Sequence, residues 1–142
     1  MKPVLVKIHS MQQGVDGEKN EFELIAAGSA RVQGDTQYIR YNESKINEME
    51  GVKTLVKVLP DQSVNLIRTG NVHQHHEFRK GKEQRSVYAL EFGKFEMHTK
   101  VYECKVNMKD GIGTIHLEYN VSLEGLYNNY TKLTITVQED RA

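Results

Sequence analysis

The 142-residue sequence predicts an all-β fold: one domain, residues 1–142, built as a single antiparallel meander β-barrel of about 8–10 strands. Three observations carry this. Segment after segment alternates apolar and polar residues with period two. Turn residues punctuate those segments at short intervals. The composition, with many Val, Ile and Thr, seven Tyr and two Pro, suits pleated half-buried surfaces.

Taken in order, VLVKIHS sets Val4, Val6 and Ile8 on one face. EFELIAAGSARV sets Phe22, Leu24, Ala26, Ala30 and Val32 against Glu21, Glu23 and Arg31. TQYIRY follows, then GVKTLVKVL, where Val52, Thr54, Val56 and Val58 oppose Lys53 and Lys57. After SVNLIR come NVHQHHEF, SVYALEF, KFEMHTKVYECKVNM, GTIHLEYNV and TKLTITV. Between them stand Gly34-Asp35, Pro60-Asp61, Lys80-Gly81, Asp110-Gly111 and Glu124-Gly125. Asp-Gly between two alternating runs is the strongest hairpin signal of these, because a two-residue type I′ turn needs φ > 0 twice. Only 43–50, ESKINEME, suggests a helical turn.

Connections this short make successive strands antiparallel neighbours. Ten twisted strands in one open sheet would curl and leave two exposed edges, and closure into a barrel removes both problems. A β-sandwich is the competing architecture, but its crossings need longer connections.

Nineteen basic and nineteen acidic residues balance, so no global field recruits nucleic acid or an anionic membrane. The basic turn RKGKEQR at 79–85 is interrupted by glutamate and reads as a solvated hairpin tip. The start, MKPVLVKIHSM, lacks the pattern of a signal peptide, and no stretch approaches the roughly 18 apolar residues of a membrane helix. A lone cysteine, Cys104, precludes an internal disulfide. A cytoplasmic protein, monomer or homodimer, is the expectation, and the sequons at Asn42, Asn120 and Asn129 are then chance matches.

Parity assigns each side chain a direction. In NVHQHHEF the anchors Val72 and Phe78 share a face with Gln74 and His76, so the conspicuous pair His73 and His75 points to solvent with Glu77. An i, i+2 histidine pair can serve zinc, but zinc needs three or four ligands. His116 and Glu118 also point outward, as do His9 and His98, so no metal site is expected. Polar residues predicted inward are Thr54, Arg68, Gln74, His76, Tyr88, Thr99 and Tyr119, with Tyr41 beside Ile39. A buried arginine needs a partner, and Glu43, on the parity of Tyr41, is the candidate. Cys104 shares parity with Tyr102 and Val106 and reads as a buried thiol.

No G-x-S-x-G, P-loop, C-x-x-C, H-E-x-x-H or dinucleotide fingerprint occurs, so no catalytic residues and no cofactor are assigned.

Several short motifs fall in a recognisable order: Tyr41-Asn42-Glu43, then EGVKTLVKV with Gly51 and Thr54, then Ile67–Gly70, Phe78 with Gly81, Tyr88 with Gly93, Thr99, and Gly113 with Leu117 and Tyr119. In this the chain resembles, over about residues 4–137, the YwiB-like family of uncharacterised bacterial β-barrel proteins. The resemblance implies a calycin- or lipocalin-like barrel and no activity. Arg68, Glu43, Tyr41, Thr54, Tyr88, Thr99 and Tyr119 fall on the family's motif, whereas the histidines of NVHQHHEF do not.

Three functions remain open on the sequence: a binding module holding a small anionic or amphipathic molecule near Arg68, a structural or protein-interaction barrel with a filled interior, and a haem-type binder or enzyme using His76.

Overall fold

The computed structural model describes residues 1–43, 51–124 and 127–140. Ten strands run through them: β1 (Lys2–Gly14), β2 (Lys19–Gln33), β3 (Thr36–Asn42), β4 (Val52–Val58), β5 (Val64–Gly70), β6 (Gln74–Phe78), β7 (Glu83–Leu90), β8 (Gly93–Lys109), β9 (Ile112–Leu123) and β10 (Tyr127–Glu139). No helix among the described residues is long and apolar enough to cross a membrane. The helical turn suggested at 43–50 lies, beyond Glu43, outside the described residues.

All ten strands join one sheet in the order β6-β5-β4-β3-β2-β1-β10-β9-β8-β7, every pairing antiparallel. Chain ends meet in the middle of that order: β1 pairs with β10 continuously from Val4↔Glu139 to Gly14↔Asn129. The barrel closes instead between consecutive strands β6 and β7, and nearly rather than fully. A single antiparallel bridge, His73↔Ala89, joins them, with N–H···O distances of 3.1 and 3.2 Å. At the other end of this seam the turn after β6 leans onto β8, where Gly81 N–H donates to Val101 O at 2.8 Å and Val101 N–H to Lys82 O at 2.9 Å. The Gln84 side chain substitutes for a missing ladder bond, its Oε1 accepting from Glu77 N–H at 3.0 Å.

The Asp110-Gly111 turn has positive φ at both positions, 54° and 80°, as a type I′ hairpin turn requires. The alternation holds along the strands. Val4, Val6, Ile39, Val56, Ile115 and Leu117 are fully buried inside the barrel, each burial stabilising by about 1.5–3 kcal/mol.

Two inward assignments are corrected. Val32 is 42% exposed. The β1–β2 ladder ends at Lys2↔Ala30, so no β1 side chain reaches Val32 to cover it. Tyr102 does not share the face of Cys104. The register slips between Val101 and Glu103, a β-bulge that turns Tyr102 outward against Tyr130, ring centroids 5.8 Å apart. Val101 before the bulge and Cys104 after it both keep to the inner side, Cys104 half-buried against the core.

Candidate functional site

The inward polar residues form a row perpendicular to the strands. Tyr41 pairs with Thr54, Thr54 with Arg68, and Arg68 with Gln74, so four adjacent strands each contribute one polar side chain at the same level. Glu43 follows Tyr41 by two residues and returns over the row: its Oε2 accepts a 2.6 Å hydrogen bond from Thr54 Oγ1 and lies 3.6 Å from Arg68 Nε. The predicted partner of Arg68 is thus its ion-pair partner, and both are largely removed from water.

From Arg68 a chain of hydrogen bonds crosses the interior. Arg68 Nη1 donates to Gln74 Oε1 at 2.7 Å. Gln74 Nε2 sits 3.0 Å from His76 Nδ1, and His76 Nε2 sits 2.5 Å from Thr99 Oγ1. Arginine can only donate, so the glutamine oxygen must face it and the amide nitrogen must face the histidine. His76 Nδ1 is then an acceptor, and its Nε2–H donates to Thr99. The imidazole is neutral, in keeping with a pKa pushed down to about 3 by burial and then by the Arg68 charge. Burial, followed by the Glu43 charge, raises Tyr41, and burial raises Tyr88. Beside His76 stand Phe78 and Tyr119, with the Phe78–Tyr119 ring centroids 4.9 Å apart.

These groups surround a cavity of about 390 Å3 inside the barrel. Seven of the nine sequence-derived candidates line it: Tyr41, Glu43, Arg68, Gln74, His76, Tyr88 and Tyr119. Thr54 and Thr99 stand behind the lining and hold Glu43 and His76 in place. The opposite wall carries Ser10, Gln12, Asn129 and Thr131, which the sequence reading missed. A signal for three of them was present. Ser10 and Gln12 continue the parity of Val4, Val6 and Ile8, and Thr131 that of Leu133 and Ile135. Among the described residues two buried polar side-chain atoms have no hydrogen-bond partner, Arg68 Nε and Ser86 Oγ. Arg68 lines the cavity, and a buried unsatisfied donor costs about 1–3 kcal/mol.

The outward histidines are accounted for separately. His73 and His75 are exposed; His75 Nε2 lies 3.0 Å from Asn65 Oδ1. His116 bridges Thr134 and Glu118 on the outer face, 3.0 Å from each. Cys104 Sγ lies 3.5 Å from Phe78 O, and burial pushes its pKa up, so the thiol holds its proton more tightly than usual.

Comparison with known proteins agrees with the architecture. The chain is 24% identical over 136 residues to the uncharacterized β-barrel protein YwiB of Bacillus subtilis (strain 168), covering 96% of this chain and 93% of that one. The crystal structure of the ywiB protein from Bacillus subtilis superposes with a TM-score of 0.85 at 23% identity, covering 98% of this chain and 92% of that chain. The likeness is one of fold, and the interior residues carry no assigned role from it. A family model described as a domain of unknown function, DUF1934, matches residues 6–135, and the chain belongs to that family.

Proposed function

We propose that the barrel interior binds a small amphipathic molecule, its polar end at Arg68 and its apolar part against Leu66, Phe78 and Leu133. The observation that carries this reading is Arg68 itself, whose buried Nε lacks a hydrogen-bond partner beside a cavity of about 390 Å3. A cavity of this size falls in the range of small-molecule sites, roughly 300–1,000 Å3, and a barrel of about eight strands can hold one small ligand in its interior. Cytoplasmic work suits the half-buried free thiol of Cys104. A haem-type role for His76 is disfavoured, since both ring nitrogens are already engaged, by Gln74 and Thr99.

Native mass spectrometry of protein purified gently from its own host tests the proposal. A stoichiometric small-molecule adduct on the wild type, lost in Arg68→Ala, is the expected result. Absence of any adduct, together with a crystallographic interior in which ordered water satisfies Arg68 Nε and fills the cavity, would sink it.

A further inference from the structure

Among the described residues, Arg68 and Glu43 are the only formally charged side chains lining the cavity, and they are paired with each other. The remaining polar lining among the described residues is neutral: hydroxyls, amides, phenols and an imidazole whose Nδ1 must accept from Gln74. The described wall therefore sums to zero charge. A ligand bringing a carboxylate to Arg68 would set it against the Glu43 carboxylate, whose Oε2 is 3.6 Å from the same nitrogen. One cation would then be shared by two anions in a region largely closed to water, where unbalanced charge is costly. A ligand bringing an ammonium would meet Arg68 in the same way. An uncharged acceptor meets neither objection, and it supplies what Arg68 Nε lacks.

From this arrangement we infer that the polar end of the interior ligand is an uncharged hydrogen-bond acceptor, of the amide, ketone or alcohol class, and not a carboxylate or an ammonium. The inference rests on the interior-binding reading above and narrows its ligand class. Glu43 acts in it as a specificity-determining residue: by neutralising Arg68 it turns an anion site into a site for neutral molecules.

Three probes of equal chain length separate the cases: octanamide, octanoate and octylammonium, titrated at pH 7.5 by isothermal calorimetry. Wild type is expected to bind octanamide about tenfold or more tighter than either ion. Glu43→Gln keeps an acceptor for Thr54 and leaves Arg68 unneutralised, so the order should reverse in favour of octanoate. Arg68→Gln leaves Glu43 unneutralised, so octylammonium should gain. The two opposite shifts keep the test open if one variant fails to fold, which circular dichroism reports. Octanoate binding as tightly as octanamide to wild type, or the same order of probes in all folded variants, overturns the charge argument while interior binding stands. No binding of any of the three probes to the wild type overturns interior binding as well.

Discussion

Gln74 Oε1 accepts from Arg68 Nη1 at 2.7 Å, and this one contact sets the protonation of a histidine on the far side of the glutamine. Because the donor is an arginine, the amide cannot flip without facing two donors at each other. His76 must then carry its proton on Nε2. We predict a neutral Nε2–H tautomer for His76, visible as a pyrrole-type Nε2 and a pyridine-type Nδ1 in long-range 1H–15N correlation spectra. The pattern should persist from pH 8 to about pH 4.5. A His76 resonance titrating near its ordinary 6.5 would show the chain of hydrogen bonds to be wrong.

The same suppressed protonation couples to stability. Between about pH 6.5 and pH 3 the unfolded chain binds a proton at residue 76 and the folded chain does not. Unfolding takes up that proton, so stability falls as pH drops through this window. Asp61, Glu103 and Glu118, whose carboxyls are held below their usual range by Ser63, Lys80 and His116 respectively, begin to contribute only as pH falls to their ordinary values of 3.8, 4.5 and 4.5, at the acid end of this window. From pH 6.5 to 4.5 the His76 contribution lost is roughly 2 kcal/mol. Urea titrations across that range should show the loss in wild type and a flatter profile in His76→Leu, whatever the absolute stability of the variant. Parallel slopes would remove His76 as the cause.

The Arg68–Glu43 pair should behave as a unit. Either Arg68→Met or Glu43→Gln alone leaves a buried charge without its partner, at about 3 kcal/mol. The double variant leaves neither charge and should lose clearly less than the sum of the two. Chemical denaturation of the four proteins gives the coupling directly, and additive losses would mean that the 3.6 Å contact carries no interaction.

The polar row depends on close approach of two strands at Gly28, opposite Tyr41. A Cβ there would stand 2.3 Å from Arg40 O and 3.3 Å from Tyr41 Cβ. Gly28→Ala should therefore cost about 1–3 kcal/mol by pushing β3 away. Gly34 has positive φ but open space around it, so Gly34→Asn, a residue that tolerates that backbone, should change stability by much less. Equal thermal shifts for the two would contradict the packing argument.

Particular residues show why parity carried the reading of the site so far. Because side chains alternate with period two, a single apolar anchor such as Val72 or Phe78 was enough to send Gln74 and His76 inward and His73 and His75 outward. Glu43 was legible as the partner of Arg68 because buried charge demands one. Tyr102 was illegible for the complementary reason: one inserted residue reverses every later direction, and nothing local in KVYECKV marks the bulge. Ser10 and Thr131 were passed over because apolar neighbours on their strands satisfied the pattern. Cavity volume and the pairing of β1 with β10 arise from the closed sheet as a whole.

The seam between β6 and β7 should be the place where the barrel opens first. The bridge His73↔Ala89 is a hydrogen-bonded pair, so an unbroken ladder would continue through residues 75 with 87 and 77 with 85. It does not: Glu77 N–H goes to the Gln84 side chain, and the turn at 79–82 is drawn to Val101. The amides of His75, Arg85 and Val87 thus point at a gap, whereas those of Ile8 and Ile135 lie within the eleven-pair β1–β10 ladder. Native-state hydrogen exchange should find the seam amides at least about tenfold less protected than the β1–β10 amides, because they exchange by local opening without global unfolding. Gln84→Ala should expose Glu77 N–H and widen the difference, leaving the β1–β10 amides unchanged. Uniform protection around the barrel, or a Gln84→Ala effect spread over all strands, would show that β6 and β7 are held as firmly as the rest.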